Sequence, residues 1–194
     1  MKLPLFLLAV LAATVVAAPV QAAPATHQTS NVALFMTPTL VPGASATLVR
    51  NDNGVGMSLH TSGLTPGDAV TVWWVIFNKP QYCTHGMFGA KCGIGDLLVF
   101  GGDPRVESSL LYAAGHVIGG DGVGDYGAYL REGELTRDTL FGPGIENSRT
   151  ADVHLVVHDH GPAQPGIVNE EIHSFGVCNP TCTDIQAAAF EAAQ

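Results

Sequence analysis

Apolar positions in this chain fall into short runs broken by Gly and Pro rather than into long helical stripes. The densest run is residues 68–78, D-A-V-T-V-W-W-V-I-F-N. From Val70 to Phe77 every residue is β-branched or aromatic, which predicts a strand buried on both faces. Pro66-Gly67 before it suits a type II turn, because Gly accepts the positive φ required at the third position. Pro80 ends the strand by removing a ladder donor.

Weaker patterns flank this run. Residues 45–50 and 55–61 enclose Asn51-Asp52-Asn53-Gly54, and Asn-Gly between two alternating runs predicts a hairpin. In the second run Val55, Met57 and Leu59 alternate with Gly56, Ser58 and His60, so one face meets water. In residues 150–160, Ala151, Val153, Leu155 and Val157 share one face, while Asp152, His154, Val156, His158 and His160 share the other. Residues 34–36, 97–100 and 128–131 read as short strands and 171–177 as an extended piece. Residues 108–118 fit either period, but Gly115 and Gly119-Gly120 favour strand. The Ala-rich end, 184–194, fits a closing strand, a frayed end or a short helix. Roughly eight short strands between Gly/Pro turns predict an all-β fold, a two-sheet Greek-key β-sandwich forming a single domain. No fixed-period repeat is visible.

Residues 1–22 stand apart: a nearly all-apolar run behind Lys2, then Val20-Gln21-Ala22 with small residues at signal-peptidase spacing. A cleaved signal peptide is expected, since Pro19 interrupts the run and its length falls short of the roughly 20 residues of a membrane span. The remainder divides into a flexible lead-in, 23–30, and the β-sandwich domain, 31–194. Without Lys2 there are seven Lys and Arg against seventeen Asp and Glu, a formal charge of −10. That acidic balance argues against nucleic acid and anionic lipid as partners. The expected location is secreted or periplasmic, with no membrane span after cleavage.

The four cysteines, Cys83, Cys92, Cys178 and Cys182, all follow the leader. An even number in an oxidising compartment predicts disulfides. Three pairings exist, and the local one, Cys83–Cys92 with Cys178–Cys182, is favoured because each pair sits within one loop-like segment. A four-thiolate zinc site is the rival.

Val72-Trp73-Trp74-Val75-Ile76-Phe77-Asn78-Lys79-Pro80 followed by Cys83, the stretch from Ala113 to Gly122, and His154-Leu155-Val156-Val157 leading to His160-Gly161-Pro162-Ala163 resemble a group of uncharacterised secreted proteins. The resemblance covers most of residues 64–186 and implies export and one compact domain, but no activity. Gly63-Leu64-Thr65-Pro66-Gly67 before a long strand is distantly similar to the chordin-type repeat and to copper/zinc dismutase-like β-sandwiches. The chain departs from the latter at Val72, Trp73 and Trp74, where dismutase-like strands carry paired metal histidines.

Two candidate sites emerge. His154, His158 and His160 share a strand face, where residues two apart lie about 6.5–7 Å from each other, close enough for two imidazoles to share Cu or Zn. His116 and His173 can join them only if the fold brings them near. The alternative is a polar stripe in which Asp152 and Asp159 satisfy neighbouring imidazoles. The second candidate is a ligand site on the long Gly-rich loops, 78–96 and 119–127 with 160–166 beside them, carrying Tyr82, His85, Phe88 and Tyr126. Its rival is a loop that merely protects a sheet edge. Trp73 and Trp74 face opposite sides, so one belongs to the core and the other either stacks on a ligand or is buried under the second sheet.

Gly122-x-Gly124-x-x-Gly127 leads into a strand rather than a helix and sits between Asp121 and Asp125, which excludes a dinucleotide site. No G-x-S-x-G or H-E-x-x-H motif occurs. The expected function is therefore a secreted, non-enzymatic binding or structural module for an unidentified protein, glycan or small molecule. Its alternative is a Cu- or Zn-binding protein built on the histidines.

Overall fold

The 68–78 run forms the strand that its composition predicts: β4 (Asp68–Phe77) is buried along its whole length. The computed structural model describes residues 23–87 and 89–192, so the leader expected at 1–22 lies outside it. Around β4 are β1 (Thr26–Leu34), β2 (Leu40–Asn51), β3 (Gly54–Thr61), β5 (Ser108–Val117), β6 (Gly124–Arg131), β7 (Thr139–Phe141), β8 (Asp152–Pro162) and β9 (Thr183–Phe190), with a short α-helix, α1 (Val168–Glu171), and four 3-10 turns among the described residues. The strands make one antiparallel sheet in the order β6-β3-β2-β1-β9-β8-β4-β5-β7.

The sheet curls so that its two halves face each other. Val70, Val72, Trp74 and Ile76 of β4 and Val153, Leu155 and Val157 of β8 share a core with Leu48, Val55, Met57 and Leu59 of β2 and β3. This is the expected all-β domain, its two facing layers supplied by one continuous sheet. Its ends approach where His116 on β5 stacks on Tyr126 on β6, ring centroids 4.5 Å apart.

Buried Arg50 ties the halves together at the other end. Its guanidinium donates to the carbonyls of Ser148, Ala151 and Phe190 at 2.7–3.1 Å and to Gln28 Oε1. Burial lowers its pKa to about 10 despite nearby Asp152, and the four bonds answer the cost of taking the charge out of water.

The reverse face of β4 carries Val75 and Phe77, and an apolar strand face must be covered. Residues 78–107 lie over it: Cys83, Cys92, Leu97 and Val106 pack with Val75, Phe77, Val156 and Ala187 in a second core. Burying each such Val or Phe side chain contributes about 1.5–3 kcal/mol. Further along the same face, residues 163–182 form the cover, with Phe175 edge-on to Trp73 at 5.1 Å. Both local disulfides, Cys83–Cys92 and Cys178–Cys182, are present and hold these two covers.

Close approach of neighbouring backbone requires glycine at several positions, Gly54 and Gly115 among them. A Cβ at Gly54, which closes the β2–β3 hairpin, would meet Leu130 O at 2.2 Å, and one at Gly115 would meet Ile172 O at 2.4 Å.

Several local expectations are corrected. Thr26–Ser30, expected within a flexible lead-in, pairs with β2 from Thr26↔Arg50 to Ser30↔Ala46. Residues 97–100 are not a strand: Leu98–Phe100 is a 3-10 turn. Residues 171–177 are not an extended piece: Glu171 closes α1, and residues 172–177 follow it as turns and bends. Of the three alternatives for the C-terminal segment, the strand is the one formed, as β9.

Candidate functional site

The alternation along β8 divides its residues as expected, but the histidine-bearing face lies beneath the two covers instead of in water. His154, His158 and His160 are all buried. His158 Nδ1 lies 2.6 Å from Asp184 Oδ1 and its Nε2 lies 3.1 Å from the Phe175 carbonyl, with the ring stacked on Phe175. Both nitrogens thus face oxygen atoms, one from β9 and one from the 163–182 cover. His160 Nδ1 lies 2.7 Å from the Val177 carbonyl and donates to it. Its Nε2 then accepts from the Thr71 hydroxyl at 2.9 Å, which itself accepts from Trp73 Nε1 at 2.8 Å. Burial lowers the His160 pKa, in keeping with this neutral tautomer. The pair therefore clamps the 163–182 cover to the sheet.

Among the described residues, possible metal donors converge in two places: His158, His160 and Cys182, and Cys83, Cys92 and Asp96. Each cysteine there is in a disulfide, so its sulfur is no thiolate ligand. His154, His116 and His173 belong to neither group. His116 lies against Tyr126, while His173 Nδ1 donates to the Asn169 carbonyl at 2.7 Å and its ring lies against Tyr112.

The loop candidates do not form one surface. The 78–96 insert leaves the end of β4, whereas 119–122 lies beside its beginning, where Leu64 N donates to Gly122 O and Gly67 N to Ile118 O. Tyr126 is buried on the inner side of the sheet. Tyr82 packs on the second core beneath Arg105, whose guanidinium carbon is 4.6 Å from its ring centre. His85 sits by buried Asp96, which accepts from the backbone N–H groups of Thr84, His85 and Gly93. Burial alone would raise the Asp96 pKa, but these bonds and the His85 ring outweigh it and hold the carboxyl low. Phe88 lies outside the described residues.

What the covers and the sheet enclose is a cavity of about 300 Å³. Its floor is the reverse face of β4 and β8: Trp73, Val75, Phe77, His154 and Val156. The insert supplies Met87, Ile94, Leu97, Val99 and Phe100; Phe35, Leu110, Leu140, Phe141 and Phe175 complete the apolar wall. Among the described residues, fourteen of the sixteen that line it are apolar or aromatic, leaving His154 and Asp184 as the polar ones. Phe100 and Val99 remain 64% and 57% exposed, which puts them at the mouth.

His154 is the unusual group. The residue is 1% exposed, and Nε2 is buried without a hydrogen-bond partner among the described residues. Burial pushes its pKa down to about 4, a drop that Asp96 opposes weakly, so the imidazole is neutral at physiological pH. Its cross-strand neighbours are Val75 and Ala189, neither of which offers a polar side chain. A buried polar atom left unpaired costs about 1–3 kcal/mol; the Tyr126 hydroxyl and Thr136 Oγ1 are likewise buried and unpaired among the described residues, but of the three only His154 lines the cavity.

Comparison with known protein families, with characterised proteins and with solved structures gave no match to this chain. The reading of the site therefore rests on its own geometry.

The strand period puts His154 on the face that lines the cavity, but nothing in the spacing of the chain marks the cavity itself. One signal was present: Leu97-Leu98-Val99-Phe100 is an unbroken apolar run inside a Gly-rich loop, more hydrophobic than a loop needs to be.

Proposed function

We propose that this protein is an exported, non-enzymatic binding module whose ligand occupies the cavity beneath the 78–107 insert. The observation that carries the reading is the combination of an almost wholly apolar cavity with an unpartnered buried nitrogen on His154. Concave apolar sites with a few placed polar groups are the usual form of small-molecule sites, and this volume falls at the small end of their range. Two disulfides suit an oxidising compartment and pin the covers before any ligand arrives, which lowers the ordering cost of binding. The cavity's second polar group, Asp184, is already bonded to His158, so the lining holds no free acid–base pair for chemistry.

The copper or zinc alternative requires His158 and His160 to give up the hydrogen bonds that hold the 163–182 cover. Metal analysis of the exported protein tests it: stoichiometric Cu or Zn, lost in His158→Ala, would favour it over the cavity reading.

Chemical-shift mapping by NMR with butylbenzene tests the cavity reading. The expected result is saturable shifts concentrated at Leu97, Phe100, Leu110 and Phe141. Shifts scattered over the surface, or none, would contradict it.

A further inference from the structure

We infer that the ligand is a small uncharged molecule, apolar over most of its surface and bearing one hydroxyl that pairs with the imidazole of His154. The inference rests on the cavity reading above and adds the chemical class of the ligand.

Size is set by the cavity. Filling about 300 Å³ at the packing density of a protein interior, roughly 0.75, admits on the order of a dozen non-hydrogen atoms. Polarity is set by the wall. Phe77 meets the His154 ring edge to face at 5.1 Å, and Val75 and Ala189 flank it across the sheet. On its own strand, Val156 is apolar and Asp152 accepts from Ala192 N. Among the described residues Nε2 is therefore unpaired; the nitrogen is itself buried, so a ligand polar group that displaces a flanking side chain to reach it removes that penalty on binding. A hydroxyl suits either neutral tautomer, since it donates to a bare nitrogen and accepts from an N–H.

Charge is excluded by the same wall. Among the described residues the lining contains no Lys or Arg, and Asp184 contributes a carboxylate. A ligand carboxylate would be desolvated there without a counter-charge. An ammonium would gain little from Asp184, whose Oδ1 is already held by His158 at 2.6 Å.

Calorimetric titration of the full exported chain near neutral pH with 4-butylphenol, butylbenzene and 4-butylbenzoate tests the inference. The phenol should bind about tenfold more tightly than butylbenzene, the value of one net hydrogen bond, and the benzoate most weakly. His154→Phe keeps the ring shape and removes the nitrogens. It should bind butylbenzene as before and lose the preference for the phenol. Because that variant can also perturb folding, the imidazole nitrogen resonances of wild-type His154 supply a second readout and should move on adding the phenol but not butylbenzene. Equal affinity for phenol and butylbenzene, a preference that survives in His154→Phe, tighter binding of the benzoate, or unmoved His154 resonances would each overturn the inference while leaving the cavity reading in place. Failure of every probe to bind would overturn both.

Discussion

His154 and Phe77 meet edge to face on adjacent strands, ring centroids 5.1 Å apart, and both line the cavity. The contact puts an imidazole where the β4 and β8 pattern would otherwise place an aliphatic side chain. Phe77 and Val75 remove water from the ring without supplying a hydrogen bond. The neutral state of the ring follows from that setting.

Acid should reveal this. The ordinary His pKa of 6.5 falls to about 4 through burial, so below pH 6.5 the unfolded chain takes up a proton that the folded chain resists. The stability of the neutral ring is therefore fully present above about pH 6.5 and is lost as pH falls through about 4. In urea unfolding, the stability difference between wild type and His154→Phe should change by on the order of 3 kcal/mol between neutral pH and pH 4. His160, lowered by burial, and Asp68 and Asp152, raised by burial, are common to both proteins and cancel in the difference. A pH-independent difference would contradict a buried neutral imidazole.

The Cys83–Cys92 bridge closes a short loop that walls the cavity. The double substitution Cys83→Ala, Cys92→Ala should lower stability by about 2–3 kcal/mol, the chain-entropy value for a loop of this length. Butylbenzene affinity, measured under conditions where the variant stays folded, should fall as well, since Met87, Ile94 and Leu97 lose their fixed positions. Loss of stability with unchanged affinity would mean that the insert is only a cover.

Phe100 and Val99 stand exposed at the mouth. Phe100→Asp should leave stability within about 0.5 kcal/mol, as surface changes usually do, yet weaken butylbenzene binding several-fold by setting a charge beside the apolar entrance. A thermal melt and a titration together decide it. Unchanged affinity would move the entrance elsewhere.

Legibility in the sequence followed how local each cause was. β4 was readable because burial on both faces leaves an uninterrupted apolar run, and the β2–β3 hairpin because Asn53-Gly54 encodes its own turn. Thr26–Ser30 was not, since its mostly exposed, polar residues are held by backbone pairing to β2 rather than by a buried stripe. The face shared by His154, His158 and His160 was legible from the strand period. Its covering was not, because the partners of His158 and His160 come from Asp184, Phe175 and Val177, up to 26 residues later. The cavity wall is less local still. Phe35, Leu110, Phe141 and Phe175 meet only because the sheet curls and the two covers close on its back, and no spacing along the chain records that.

The most direct measurement is a calorimetric titration of the protein with butylbenzene, run beside Val156→Phe, which puts a larger side chain into the cavity floor. The account predicts one saturable site in the wild type and at least about tenfold weaker binding in the filled variant, which forfeits the space that the ligand needs. No saturable binding to the wild type, or equal binding to a folded Val156→Phe, would contradict it.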